Sequence, residues 1–125
     1  MNLVDSCGWL EYFSDGPNAS FYREAILDTD HLIVPTICIH EVFKSLLRQQ
    51  NKNKAFEAVG AMINGRIVNL DAEIAMEAAK LGLENSLSLA DSIIYASAKV
   101  HNAFIWTQDA DFKKLPGVRY KEKRR

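Results

Sequence analysis

The acidic residues that follow short apolar runs are the side chains of this sequence best placed to do chemistry. Asp5 directly follows the apolar pair at 3–4. Asp109 and Asp111 come shortly after the apolar run at 104–106. If both runs are parallel strands, their carboxyl ends open onto one edge of a sheet, where ligands bind. Acids that are distant in sequence would then lie close together, and they could bind a hard cation.

A third acid, Glu41, lies on the polar face of a predicted helix. The same face carries Lys44, Ser45 and Arg48, opposite an apolar stripe. Glu41 could therefore be a solvated residue that contacts its neighbours one helical turn away. If Glu41 lines a cleft instead, Lys44 and Arg48 could contact phosphate groups there, although they could equally keep this face hydrated.

A fourth acid, Asp91, lies near the start of an almost uncharged helical segment. The positive end of that helix favours an ionised carboxylate. If the acids converge, their mutual repulsion keeps some of them protonated unless a cation neutralises them. Carboxylate ligands without a usable histidine favour Mg²⁺ or Mn²⁺ over zinc. The sequence therefore indicates a magnesium or manganese site.

Purely structural roles are also open for these acids. Asp5 could cap the helix that follows it. Ser88 and Asp91 have the spacing of a capping box. Asp109 and Asp111 could form an Asx-type turn. Each role is reasonable alone, but together they leave unexplained why isolated acids mark two strand ends and two helices of one small domain.

The acids need a framework of strands and helices, and the chain alternates between the two. Strands are predicted at 3–4, 32–34, 67–68, 104–106 and 118–120. Helices are predicted through 9–13, over 18–27, from a cap at Thr36 to a turn at 49–54, from there to Gly65, over 71–81 before Gly82, and over 92–100. This alternation is typical of a parallel sheet with helices on both faces.

Apolar spacing predicts which side of each helix faces the core. The predicted core stripe of the third helix consists of Ile39, Val42, Phe43, Leu46 and Leu47. The predicted inward residues of the fourth helix are Phe56, Val59 and Ile63. The segment 92–100 carries no charge except Lys99, and we expect it to be buried on most sides.

The composition bounds the class of protein. A chain of 125 residues, 48% hydrophobic and 25% charged, is predicted to form one domain, 1–125, with a charged and frayed tail at 121–125. The net charge of −1 means that a nucleic-acid role would need a local basic patch. Cys7 and Cys38 lack metal-ligand spacing and are predicted to be reduced thiols. Without a signal-peptide pattern or a membrane-length apolar run, we expect a cytoplasmic protein.

Three segments of the chain resemble the PIN-domain family of small metal-dependent ribonucleases, which includes VapC-type toxins. They read VDSCGWLEYF at the start, PTICIHEVFKSLL in the middle and LADSIIYASAKVHNAFIWTQDADF towards the end. The third segment is the most specific, because its acid, small-residue helix, strand and Thr-x-Asp-x-Asp-Phe motif follow the family order. Together the matching segments span residue 3 to about residue 118.

The resemblance implies an acidic site that consists of Asp5, Glu41, Asp91 and Asp109, with Thr107 supporting it and Asp111 as an occasional addition. It also implies a three-layer α/β fold with a parallel five-stranded sheet ordered 3-2-1-4-5. A homodimer and a small antitoxin that blocks the active site are implied as well. Cys7 departs from the family, where Ser or Asn is common, and this weakens any role of its side chain at the metal.

The chemistry that the resemblance implies is hydrolysis of RNA phosphodiester bonds by water. Asp5, Asp91 and Asp109 would hold Mg²⁺ or Mn²⁺, and Glu41 would position water or a second ion. Because water attacks rather than a ribose 2′-hydroxyl, the expected products carry a 5′-phosphate and a 3′-hydroxyl.

Two surfaces are expected to contact other molecules. Lys44 and Arg48 are the basic residues expected to hold the RNA backbone. The first two helices carry more large apolar residues than their own packing needs. These residues could form an exposed groove for a partner or a dimer mate, or they could be ordinary core. They are Trp9, Tyr12, Phe13, Phe21 and Tyr22.

Two other functions remain open at this point. Phosphatases of the haloacid-dehalogenase type also have an aspartate after their first strand, but Asp5-Ser6-Cys7 lacks the second aspartate that they use as a general acid. A non-catalytic PIN-like module that binds RNA or protein is the other possibility. A metal titration would separate it from a ribonuclease.

Overall fold

The computed structural model describes residues 1–124 and contains a five-stranded parallel sheet in the order 3-2-1-4-5. Its strands are β1 (Asn2–Val4), β2 (Leu32–Pro35), β3 (Arg66–Val68), β4 (Phe104–Thr107) and β5 (Val118–Tyr120). All four strand pairings are parallel. The predicted strands and the predicted fold class are confirmed.

Six helices flank the sheet. They are α1 (Ser6–Phe13), α2 (Ala19–Leu27), α3 (Thr36–Gln49), α4 (Lys52–Met62), α5 (Ala72–Asn85) and α6 (Leu89–Val100). Short 3-10 turns occur at Thr29–His31 and Ala110–Phe112. α6 is buried over Ser92 to Ala98, as its lack of charge predicts. None of the helices among residues 1–124 is long and apolar enough to cross a membrane.

The register of the central strands brings the chemically interesting ends together. Val4 on β1 pairs with Trp106 on β4. One residue further on, the Asp5 N–H donates to the Trp106 carbonyl at 3.1 Å. Because parallel strands end at the same edge of the sheet, Asp5 and Thr107 emerge side by side.

The predicted core stripe of α3 is confirmed in part. Val42 is buried, and Ile39 and Leu46 pack against the core, whereas Phe43 and Leu47 do not. The other buried residues of α3 are Cys38 and Ser45. Leu47 is 44% exposed, and the other predicted residues, Ile39, Phe43 and Leu46, are half-buried. α3 contacts α1, α4, α6 and β2. With neighbours on several sides, apolar spacing alone cannot identify the face that is buried most deeply.

The predicted inward residues of α4 are wrong. Its buried residues are Ala55, Ala58 and Met62, whereas Phe56 and Ile63 are 55% and 56% exposed and Val59 is half-buried. α4 packs chiefly against α3, and the small alanines allow the two helices to approach closely. The larger side chains therefore lie beside the contact. Phe56 packs edge-on against Phe43 with 5.2 Å between the ring centres.

Two predicted helix ends, the start of α3 and the end of α5, differ from the structure. Thr36 is the first residue of α3 rather than its cap, and Pro35 occupies the cap position. α5 continues past the predicted end to Asn85, where Ser86 ends it in a left-handed conformation with φ of 54°. Gly82 is instead a packing glycine, because a Cβ there would lie 3.1 Å from the Ser92 Cβ on α6.

The C-terminal segment is tied to the sheet rather than frayed. The Lys121 N–H donates to the Thr107 carbonyl at 3.0 Å, which extends the pairing of β5 with β4. The Asn18 Nδ2 donates to the Glu122 carbonyl at 2.9 Å. The prediction of a frayed tail is therefore wrong at 121–122, and Arg125 lies outside the described residues.

Candidate active site

Asp5 lies at the end of β1 and is only 4% exposed. Its Oδ1 accepts from the Ser6 N–H at 2.7 Å, so Asp5 does cap α1. Its Oδ2 accepts from the Thr107 hydroxyl at 2.9 Å and from the Cys7 thiol at 3.2 Å. Burial raises the pKa of Asp5, and these three hydrogen bonds oppose that shift. Asp5 does more than cap α1, because its Oδ2 is also held by Thr107, which lies on β4 and is distant in sequence.

Thr107 connects Asp5 to the acids that follow β4. Besides donating to Asp5, its hydroxyl oxygen accepts from the Asp109 N–H at 2.9 Å. The Asp109 Oδ1 accepts from the Asp111 N–H at 2.9 Å and opens the 3-10 turn there. The Asx-type turn is therefore present, and it positions both acids at the same edge of the sheet as Asp5.

Asp91 lies in the first turn of α6 and is half-buried. The Ser88 hydroxyl oxygen accepts from the Asp91 N–H at 3.3 Å, which is the serine half of a capping box. Burial and then the negative charges of Asp5, Asp109 and Asp111 raise the pKa of Asp91 to about 6. A cap on an isolated helix would not feel three other carboxylates, so Asp91 belongs to the acidic cluster.

Three acids form the tightest part of this cluster. Asp91, Asp109 and Asp111 each offer a carboxylate oxygen, and these three oxygens all lie within 4.8 Å of one another. The predicted metal ligands are Asp5, Asp91 and Asp109, with Asp111 expected only as an occasional addition. In the structure, Asp111 rather than Asp5 completes this tight group. An all-oxygen set of convergent, mutually repelling carboxylates fits Mg²⁺ or Mn²⁺.

Glu41 reaches this region through a residue that the sequence analysis missed. The Ser6 hydroxyl donates to the Glu41 Oε1 at 2.7 Å. Ser6 is buried and directly follows Asp5. Its N–H donates to Asp5 and its hydroxyl donates to Glu41, so Ser6 links two of the predicted acids. Glu41 is half-buried because it lies on α3 beside Val42 and Ser45, which face the core. The only sequence signal for this role of Ser6 is its position in the first turn of α1, directly after Asp5.

The two cysteines are free thiols, as predicted. Cys38 is fully buried in the core. Burial and the nearby charge of Asp5 raise the pKa of Cys7 to about 12. Cys7 is therefore an S–H group at neutral pH, and it acts as a hydrogen-bond donor to Asp5 rather than as a thiolate ligand.

A groove of about 720 Å³ reaches Cys7, whose thiol donates to Asp5, but none of the five acids lines it. α1 forms one wall, and α3 and α4 form the other. Cys7 and Gln108, which adjoin the acids, lie among its lining residues, together with Tyr12 and Phe13. Of the aromatic residues predicted to form such a groove, Trp9 and Tyr22 are instead fully buried core, and Phe21 packs on Trp106 with 5.1 Å between ring centres.

The predicted RNA-binding residues form no ion pair with a carboxylate among residues 1–124. Lys44 and Arg48 are both exposed on α3. Their contact with RNA stays a prediction.

Comparison with known families decides the family. A family model described as the PIN domain matches residues 3–118, which is most of the chain. The chain belongs to the PIN-domain family. A comparison with curated proteins gives no significant match. The match of the PIN-domain model confirms the predicted resemblance.

Solved structures with the PIN fold cover almost the whole chain. A toxin–antitoxin complex from Klebsiella pneumoniae contains a chain that is 26% identical, with a TM-score of 0.84, and the match covers 98% of this chain and all 100% of that one. VapC20 of Mycobacterium tuberculosis, a toxin that cleaves the sarcin–ricin loop, is 14% identical with a TM-score of 0.78 over 94% and 97% of the two chains. A chain of the DNA-bound VapBC complex from Salmonella typhimurium is 16% identical to this chain. Its TM-score is 0.78, and the match covers 98% of each chain.

Proposed function

We propose that this PIN domain is a metal-dependent ribonuclease and the toxin of a toxin–antitoxin pair. The observation that carries the proposal is the convergence of carboxylates from the ends of β1 and β4 and from α6, where burial and then three neighbouring charges raise the pKa of Asp91 to about 6. A cluster of this kind is costly to keep without a cation. The likeness to a chain of the Klebsiella pneumoniae toxin–antitoxin complex supports the toxin part.

Asp5, Asp91 and Asp109 would hold Mg²⁺ or Mn²⁺, with Asp111 close enough to contribute. A divalent cation, when bound, lowers the pKa of a water molecule and offsets negative charge on the phosphate. Glu41, fixed by the Ser6 hydroxyl, would orient the attacking water or a second ion. Thr107 keeps Asp5 and Asp109 in register through its hydroxyl. The 2′-hydroxyl of RNA takes no part, so the products carry a 5′-phosphate and a 3′-hydroxyl.

The groove that reaches Cys7 is the expected site of the antitoxin. Its lining mixes apolar residues such as Leu10, Phe13 and Leu46 with polar ones, which suits an inserted segment of a small protein. Occupation of the groove at Cys7 and Gln108 would block access to Asp5 and Asp109. We also expect a homodimer that acts on RNA in the cytoplasm.

RNA cleavage by the purified chain tests this function. End-labelled RNA should be cut with Mg²⁺ or Mn²⁺, and chelation of the ion should stop the reaction. Asp109→Asn should be inactive, whereas the exposed carboxylate control Asp30→Asn should cut like the wild type. Cutting that survives chelation, or equal cutting by Asp109→Asn, would contradict the proposal. RNA binding without any cutting would favour the non-catalytic alternative.

A test in cells addresses the toxin part. Expression of the chain alone should arrest growth, and co-expression of the small protein encoded beside it should restore growth. The Asp109→Asn variant should be harmless in both settings. Harmless expression of a wild-type chain that cuts RNA in vitro would argue against a toxin.

A further inference from the structure

We propose that the segment 121–124 is a basic arm that holds the RNA substrate at the entrance to the acidic site. The segment reads Lys121-Glu122-Lys123-Arg124, so three of its four side chains are basic. This inference rests on the proposed ribonuclease function. It adds a binding surface beyond Lys44 and Arg48.

The arm is anchored to the strand end that carries the site. The Lys121 N–H donates to the Thr107 carbonyl at 3.0 Å, and the hydroxyl of the same threonine donates to Asp5. On the other side, Asn18 is 1% exposed, and its Nδ2 donates to the Glu122 carbonyl at 2.9 Å. All these contacts use the backbone of the arm. Its basic side chains therefore stay free to reach a ligand.

The same anchor extends to the residue that precedes Asp109. The Asn18 Nδ2 also donates to the Gln108 Oε1 at 3.1 Å. Gln108 is buried, so Asn18 fixes the arm and the loop after β4 as one unit. The position of the arm relative to Asp109 is thus set by buried hydrogen bonds and not by the basic side chains themselves.

Lys123 borders the groove between α1, α3 and α4. It lines the groove together with Cys7 and Gln108, which adjoin Asp5 and Asp109. The side chains of Lys121, Lys123 and Arg124 are exposed, and among residues 1–124 none of the three forms an ion pair with a protein carboxylate. Their charge is therefore available to a ligand outside the chain.

Electrostatics favours RNA as that ligand. The acidic cluster repels the phosphates on either side of the bond to be cut, and a bound cation offsets this repulsion only locally. At physiological salt, charges act over about 8 Å, so basic groups at the rim of the site are needed to hold the flanking phosphates. Phosphate contacts of this kind position a nucleic acid without reading its sequence.

The test removes the three charges and leaves the backbone anchor in place. The variant K121A/K123A/R124A is compared with R66A/K80A/K99A, which removes the same charge from exposed positions on β3, α5 and α6. With a short single-stranded RNA, the arm variant should show a KM about tenfold higher at low salt and an unchanged kcat. The slope of log affinity against log salt should become less negative by about 2, because three contacts contribute about 0.7 each. The control variant should match the wild type.

A second variant separates the position of the arm from its charge. Asn18→Ala keeps every basic residue and the Lys121–Thr107 bond but removes the hydrogen bonds that Asn18 donates to Gln108 and Glu122. It should raise KM by a smaller factor, about threefold. Thermal unfolding checks that the variant is folded. If the arm variant has the KM and salt slope of the control variant, the inference is overturned. A variant that loses only antitoxin affinity, with the salt slope for RNA unchanged, overturns it in favour of a protein-binding arm.

Failure of the proposed function gives a different pattern. If the wild type binds RNA without cutting it, the ribonuclease proposal fails, while the salt slope still tests the arm in the same way. If the wild type neither binds nor cuts RNA, both proposals are overturned together. The arm alone is overturned when the wild type cuts RNA and the arm variant cuts it with unchanged KM.

Discussion

The two halves of the acidic site are held in different ways. Asp5 and Glu41 each accept hydrogen bonds from side chains, Asp5 from Thr107 and Cys7 and Glu41 from Ser6. In the other half, Asp91, Asp109 and Asp111 lie within 4.8 Å of one another. Fewer donors hold these three carboxylates, and the negative charges of Asp5, Asp109 and Asp111 add to burial in raising the pKa of Asp91.

This difference separates a half whose carboxylates are held by protein hydrogen bonds from a half whose negative charges are less compensated by the protein. Side-chain donors favour the charged carboxylate and fix its direction, so the half with Asp5 and Glu41 is pre-organised. The half with Asp91, Asp109 and Asp111 has an excess of negative charge that either protonation or a bound cation must offset. Mutations in the two halves should therefore have different signatures.

Asp5→Asn should have the largest effect on cleavage. It removes a ligand charge at the junction of the two halves, and we expect a loss of at least about 100-fold in kcat/KM, because loss of outer-shell partners alone costs about 10- to 100-fold. The fold should persist, since the change removes a buried charge whose pKa is already raised by burial. Cleavage assays and circular dichroism measure both effects. Wild-type cleavage by the variant would reduce Asp5 to a helix cap.

Ser6→Ala should have an intermediate effect, confined to the pre-organised half. The Glu41 carboxylate loses its 2.7 Å donor but keeps its charge, and we expect kcat to fall about 10-fold with little change in metal affinity. Ser20→Ala, an exposed serine on α2, is the matched control. Steady-state kinetics with a metal titration checks the split. A loss of metal affinity as large as the loss of kcat would contradict the separation of the two halves.

The smallest expected effect is the effect of Asp91→Asn on stability, which is measured apart from the loss of cleavage expected when a proposed metal ligand is removed. The folded-state pKa of Asp91, about 6, lies above the ordinary 3.8, so the folded state binds this proton more tightly than the unfolded state. The resulting stabilisation is complete below the ordinary pKa and is lost as the pH rises through the folded value. Without metal above about pH 7, the variant should be more stable by about 1 kcal/mol, after discounting for solvent screening.

Urea unfolding at two pH values, with and without Mg²⁺, measures this difference. The gain should vanish below about pH 3, where the wild-type carboxyl is protonated in both the folded and the unfolded state. Mg²⁺ should stabilise the wild type more than the variant. A variant that is less stable than the wild type in metal-free buffer at neutral pH would show that Asp91 is held by favourable contacts rather than by repulsion.

Much of this site could be predicted from the sequence, because its acids stand at element ends that the apolar pattern locates. Asp5 and Asp109 follow buried strands, and a parallel sheet brings such ends to one edge. Thr107 was also predictable through the Thr-x-Asp-x-Asp-Phe motif of the family. Their assignment as metal ligands remains a prediction.

The remainder depended on contacts that local patterns do not encode. The Ser6–Glu41 hydrogen bond joins residues that are 35 positions apart, and the sequence shows only two ordinary polar residues. Asn18 occupies the N-cap position of α2, yet its side chain does not cap the helix. It donates instead to the Gln108 side chain and to the Glu122 carbonyl. On α3 and α4, the choice between adjacent faces depended on which neighbours cover them, and spacing gives no information about that.

The parallel sheet also determines when the site can exist. The hydrogen bond from Thr107 to Asp5 spans 102 residues, and β1 has no hairpin neighbour that could complete it earlier. A chain emerges from the ribosome with its N-terminus first, and long-range parallel pairing forms slowly. Asp5 and α1 are therefore synthesised long before the residues that complete the acidic cluster. The proposed cleavage activity therefore requires that β4 has emerged and paired, so the topology itself delays that activity.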